Sequence, residues 1–263
     1  YTFVRKIGGR DIESAPAPGS NLVDIYPGQS ANLYGFEVPS APTVATHYRI
    51  YRSTAGVYLF VAEITLATGT AASSTAPYED DVDPELLAEE LPSLYWAEPP
   101  ATLAGLTNLP NGVMAGFVGR DVYFCEPYVP HAWPENYRQA LDYPVVGLGR
   151  MDTTLAVLTK GTPYFIQGSH PDSVVVVKSD LEQACSSKRS IVSFNNSVFY
   201  CSPDGLIALT PSGSRNITDS MFTKEQWQDL IDPTSVIPDH YESHYVGFYN
   251  NGTESGSFIF DTL

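Results

Sequence analysis

The chain has 263 residues, 43 % of them hydrophobic and only 17 % charged, with a formal net charge of −16. A chain of this length buries roughly three quarters of its unfolded surface, so folding needs no disulfide or metal. The acidic balance repels phosphate backbones and anionic lipid, which argues against tight binding to nucleic acid or to a membrane.

Pro (21) and Gly (20) are frequent, and Tyr (17) and Phe (12) are abundant. That mix suits many short strands joined by tight turns, and the expected class is all-β. In chain order, Tyr1-Thr2-Phe3-Val4 alternates, Gly8-Gly9 turns, and Glu13 to Pro18 leaves the sheet in extended form. Leu22 to Ile25 and Ala31 to Phe36 read as strands flanking the turn Pro27-Gly28-Gln29. His47-Tyr48-Arg49-Ile50-Tyr51-Arg52-Ser53 alternates strictly, placing Tyr48, Ile50 and Arg52 on one face. Tyr58 to Ile64 is the returning strand. Thr65 to Thr75 reads as a flexible loop rich in Ala, Thr, Ser and Gly. Tyr78 to Val82 is a short strand, Leu86 to Leu91 a helical turn, and Pro99-Pro100 a boundary. Beyond Leu103 the pattern is repeated hairpins up to Phe258-Ile259-Phe260, interrupted by a helix expected over Thr223 to Leu230.

Two of these hairpins carry near copies of one motif. Val122-Tyr123-Phe124-Cys125-Glu126-Pro127 is echoed by Val198-Phe199-Tyr200-Cys201-Ser202-Pro203, with a looser Pro163-Tyr164-Phe165-Ile166-Gln167-Gly168 midway. A strand-built period of ~40 residues points to propeller blades, whose sheets bury their faces on one another. Residues 101–263 are therefore expected to form a β-propeller-like region of about four blades, with Cys125 and Cys201 at equivalent places. Cys125, Cys185 and Cys201 have no zinc-like spacing and read as buried, unpaired thiols. No apolar run approaches the ~18 residues of a membrane span. The chain does not begin with Met and opens inside a strand-like run, as a fragment, a processed product or the ordered part of a longer chain does.

Catalytic spacing is sparse. The acidic run Glu79-Asp80-Asp81-Val82-Asp83-Pro84-Glu85 lacks the order and the glycine of a calcium loop and reads as a solvated loop. Ser202-Pro203-Asp204-Gly205 is read as a hairpin turn. No enzymatic centre, cofactor or tight metal is expected. The unusual segment runs from Cys125 to Tyr137, where Pro127, Pro130 and Pro134 enforce an extended path. Tyr128, His131, Trp133 and Tyr137 are the candidate contact residues of this segment. They supply either an arm towards another subunit or ligand, or the filling of a loop packed on its own propeller.

Several stretches resemble a known family. Tyr1 to Val4 with Glu13-Ser14-Ala15-Pro16 resembles the closing strands of a fibronectin type III-like module, giving residues 1–19 to a preceding sandwich. Residues 20–100 resemble a second such sandwich. Leu109 to Phe117, Cys125-Glu126-Pro127, Pro130 to Pro134, Cys185 to Ser190 and Ser202 to Leu206 resemble segments of phage and prophage tail proteins. In function the chain resembles the tail nozzle, or hub, proteins of short-tailed phages. The resemblance implies a structural virion component, assembled in the host cytoplasm as a ring of identical subunits with other tail proteins, through which DNA passes without specific binding. A carbohydrate-binding or adhesion propeller is the alternative, and a propeller glycoside hydrolase the third reading.

Overall fold

The alternating stretch around Tyr48 forms a strand, as its pattern dictates. A computed structural model describes residues 1–26, 28–37, 45–66 and 77–262. Most of the loop expected over Thr65 to Thr75, and Pro27 of the expected turn, lie outside the described residues. The chain is all-β, with one α-helix among the described residues, and divides into two units, Tyr1–Glu98 and Pro99–Leu263.

In the first unit the strands are β1 (Thr2–Ile7), β2 (Arg10–Glu13), β3 (Ala31–Leu33), β4 (His47–Thr54), β5 (Val57–Thr65) and β6 (Tyr78–Asp80). They make a four-stranded sheet in the order β2-β1-β4-β5 and a two-stranded sheet β3-β6. Thr2 pairs with Arg49 and Val4 with His47, so β1, with β2 beside it, shares a sheet with the strands after it. That corrects the expectation that residues 1–19 close a separate, preceding module. Leu22 to Ile25 form no strand, and no strand among the described residues pairs with them. The helical turn expected at Leu86 to Leu91 shrinks to a 3₁₀ turn at Pro84–Leu86, capped by the Asp83 carboxylate on Glu85 N. It stops there because Glu89 and Leu91 bond the backbone of Phe60 and Tyr58 instead.

Arg49 organises one face of the larger sheet. Its guanidinium bonds Asp11 and Glu13 of β2 and Glu63 of β5, at 3.0 Å to Glu13 and 2.9 Å to Glu63. Glu13 is buried and also accepts from the hydroxyls of Thr2 and Tyr51, at 2.6 and 2.7 Å. Lys6, followed by Arg49, holds the Glu63 carboxyl below the usual carboxylate range. A depressed carboxyl stabilises the fold above its unfolded value and loses that contribution as pH falls through the folded value. Acidification below about pH 4 should therefore weaken the first unit, and Glu63→Gln should flatten that dependence in acid-unfolding curves. An unchanged acid limb in the variant contradicts the assignment.

The second unit contains four sheets in strict chain order. The first holds β7 (Ala104–Asn108), β8 (Met114–Val118), β9 (Asp121–Phe124) and β10 (Gln139–Ala140). The second holds β11 (Val145–Met151), β12 (Thr154–Thr159), β13 (Tyr164–Gln167) and β14 (Val175–Lys178). The third holds β15 (Val192–Phe194), β16 (Ser197–Ser202), β17 (Gly205–Thr210) and β18 (Gly213–Asn216). A helix, α1 (Lys224–Ile231), precedes the last sheet of β19 (Ile237–Tyr241), β20 (His244–Asn250) and β21 (Ser255–Asp261). All pairings are antiparallel neighbours in sequence. The first strands touch in succession, β7 with β11, β11 with β15, and β15 with β19.

The sheets bury one another. On β12, Leu155 and Val157 face the first sheet's Phe117, Val122 and Phe124, whereas Ala156 and Leu158 face Val198, Tyr200 and Ile207 of the third. On the far side of the third sheet, Phe199, Cys201 and Leu206 pack with Trp227, Ile231 and Tyr245. Strands buried on both faces need no polar alternation, which is why Leu155 to Leu158 and Leu206 to Leu209 are continuous apolar runs. The helix begins where expected. Thr223 caps Gln226 N through its hydroxyl, and the Gln226 side chain accepts from Thr223 N, a reciprocal capping box.

The motif repeat is not the structural repeat. Val122 to Phe124 lies on β9, the third strand of its sheet, and Cys125 follows it. Val198 to Cys201 lies on β16, a second strand. Cys125 and Cys201 are both buried and free, as expected, but they do not occupy equivalent strands. The true counterparts are β8, β12 and β16, which begin at Met114, Thr154 and Ser197. A Val-aromatic-aromatic-Cys run suits any strand that ends in a core, so its recurrence does not fix strand position.

Candidate functional site

The segment after β9 folds back on itself. Glu126 N bonds Ala132 O at 2.8 Å, and Val129 N bonds Glu126 O at 3.0 Å. Trp133 is buried, and its indole Nε1 donates to Pro130 O at 3.0 Å. Tyr137 is buried too, and its hydroxyl donates to Glu126 Oε2 at 2.7 Å. These two candidate contact residues fill the fold. Tyr128 and His131 are exposed. Tyr128 adopts a positive φ of 62°, and its ring covers Gly112, where a Cβ would meet the ring at 2.5 Å. Gly112 itself has φ +75°, so the close approach and the left-handed backbone both call for glycine.

Around Tyr137 a polar cluster assembles from two loops. Glu126 follows β9 and His170 follows β13. His170 Nδ1 lies 2.7 Å from Asp172 Oδ1, and Nε2 lies 3.9 Å from Glu126 Oε1. Its ring meets Tyr137 edge-on, with centroids 5.6 Å apart. Asn111 Nδ2 adds a bond to Ser169 O at 2.9 Å. Burial first, then the Glu126 bond, pushes the Tyr137 hydroxyl well above its ordinary value, so it stays a protonated donor. The cluster ties the loops of two neighbouring sheets together. His170 escaped the sequence reading. The visible signal was His-Pro-Asp, in which His170 Nδ1 accepts from Asp172 N at the start of a 3₁₀ turn.

A second polar group lines an open cleft of about 690 Å³ between the β16–β17 turn and the start of α1. Lys224 Nζ lies 2.7 Å from Asp204 Oδ1, and Gln183 Nε2 donates to Asp204 Oδ2 at 2.8 Å. Asn216 Nδ2 donates to Asp204 O at 3.0 Å. Lys224, followed by Gln183, holds the Asp204 carboxyl below the usual range. Exposed Asp219 and Ser220 line the same cleft. Ser202 pairs with Gly205 across the turn, the hairpin that the sequence suggested.

The thiols are chemically quiet. Burial pushes both Cys185 and Cys201 up to about 12, and raises Cys125 as well. The thiolate is the reactive form, so native protein should react with Ellman's reagent far more slowly than denatured protein, which should show all three thiols. Rapid labelling of the native chain contradicts this burial. Among the described residues no group of three His, Cys, Asp or Glu is placed to hold a metal ion, and no helix is long and apolar enough to cross a membrane.

No protein-family model matches the chain, and no curated protein matches it in sequence.

Proposed function

We propose that the chain is a structural component of a phage tail, working as a nozzle-like or hub-like ring of identical subunits around the DNA exit channel. In this reading the first unit is a fibronectin III-like sandwich and the second a propeller-like arc of four blades. The observation that carries it is the succession of four antiparallel sheets, packed face to face with their first strands adjacent. Such an arc is a scaffold whose two ends offer surfaces for further packing.

The resemblance to tail proteins supplies the ring and its partners, the other tail proteins. The net charge of −16 suits a lumen through which a duplex slides, because carboxylates offer phosphate nothing to grip. The test is antibody labelling of intact phage particles with purified protein as the immunogen. Gold at a single tail position supports the proposal; protein found only outside particles refutes it. Purified protein should also leave a labelled duplex unshifted at low salt, and a stable DNA complex contradicts the passive channel.

A further inference from the structure

The two outer faces of the four-sheet stack differ in chemistry. On the last sheet, residues alternate between an inner face, with Tyr245 and Phe258 against Trp227, and an outer face. Cross-strand pairing puts Ile237 opposite Phe248, Val246 opposite Ile259, and Tyr241 opposite His244 on that outer face. Ile237 is 51 % exposed, Phe248 58 %, Ile259 63 % and Tyr241 69 %. Together they expose on the order of 500 Å² of side chain, large for one patch on a soluble surface. Asp239 and Asp261 share the face, and Glu242 and Glu254 sit in its hairpin turns. No Lys or Arg follows Lys224 in the sequence.

At the other end of the stack, the first sheet turns Phe117, Val122 and Phe124 inward. Its outer side carries Leu106, 58 % exposed, together with Tyr123 and Arg138. Arg120 stands exposed in the β8–β9 turn beside it.

We infer that the outer face of the last sheet, centred on Phe248 and Ile259, docks on the outer face of the first sheet of a second copy of this chain. The inference rests on the proposed assembly of identical subunits and names the surface that builds it. Two observations select a head-to-tail contact. Every inner sheet of the stack is covered by another antiparallel sheet, so the geometry of the missing cover is the one the chain already uses. Charge excludes the symmetric alternative: two last sheets face to face would oppose carboxylates with no Lys or Arg between them. Against a first sheet, the acidic rim meets Arg120, and Arg138, which Glu135 pairs at 3.1 Å and Asp121 approaches at 4.0 Å. The patch supplies the apolar centre of an interface that needs roughly 800 Å² from each partner. Head-to-tail contacts close into rings when the rotation permits.

The test uses sedimentation velocity and native mass spectrometry on the full chain at tens of micromolar. Two variants, Phe248→Asp and Leu106→Asp, each disable one face at an exposed position and should keep the wild-type circular dichroism. Wild type should assemble beyond the monomer, and either variant alone should associate about 30-fold more weakly or worse. An equimolar mixture of the two should form a dimer at wild-type strength, because each contributes its intact face. If the wild type assembles and Phe248→Asp assembles equally, this surface is wrong while the ring reading stands. Variants that dissociate but fail to pair in the mixture overturn the head-to-tail geometry. A wild type that is monomeric throughout refutes the inference and the ring together.

Discussion

Trp227→Ala should destabilise the second unit by about 4–5 kcal/mol, among the largest losses that a single core truncation produces. Trp227 is fully buried on α1 and packs against Phe222 and Phe258, with Tyr245 in the same cluster. It is the link through which the helix seals the third sheet against the fourth. Removing the indole opens a cavity between elements that cannot collapse independently, since β17 and β20 are fixed by their own ladders. It also removes the Nε1 donor that bonds Ser202 O at 3.0 Å. Trp227→Phe keeps most of the ring volume and loses the donor, so it should cost about half as much. Urea unfolding followed by far-ultraviolet circular dichroism separates the two. A loss below about 1 kcal/mol for the alanine variant contradicts a helix that seals two sheets.

Arg49→Ala should destabilise the first unit by about 2–4 kcal/mol, below the full cost of breaking a buried pair because Asp11 and Glu63 keep contact with solvent. The effect comes from Glu13. Its side chain is 5 % exposed, and the substitution takes away the guanidinium that compensates it. The Thr2 and Tyr51 hydroxyls would still donate to it, but neither carries charge. The double variant Arg49→Met with Glu13→Gln removes the buried charge with its partner and should recover a large part of the loss. If the double variant is as unstable as Arg49→Ala, packing of the arginine stem rather than charge compensation holds the sheet.

Much of this fold is legible in the sequence because its strands follow periodicity. His47 to Ser53 reads as a strand from alternation, and Leu155 to Leu158 from a continuous apolar run. The helix was legible because Thr223 and Gln226 have capping-box spacing, with Trp227 and Ile231 four residues apart on one face. What periodicity does not carry is the neighbour. Leu22 to Ile25 has the composition of a strand and no ladder among the described residues, and Leu22 and Val23 stand exposed. Val122 to Cys125 and Val198 to Cys201 are alike in sequence, yet one sits third and the other second in its sheet. Strand position depends on how many strands precede, and β10, only Gln139–Ala140, leaves almost no signal.

The sequence marked the segment after β9 as unusual but not how it packs. Its prolines and aromatics marked an irregular loop, and four residues stood out. Trp133 and Tyr137 turn inward because Pro130 O and Glu126 accept their polar ends, and Tyr128 and His131 remain outside. Nothing local distinguishes the pairs, since the acceptors depend on the loop's closed path. The outer face of the last sheet went unnoticed for a related reason. Ile237, Phe248 and Ile259 read as ordinary strand residues, and only the stacking order reveals which of their faces lacks a sheet.

We propose that this chain builds a ring with copies of itself. Native mass spectrometry of the wild-type chain, across a concentration series at moderate salt, tests it most directly. The account predicts a closed species of one defined copy number that grows with concentration and contains no nucleic acid. A single monomer mass at every concentration, matched by monomeric protein recovered from particles, contradicts it.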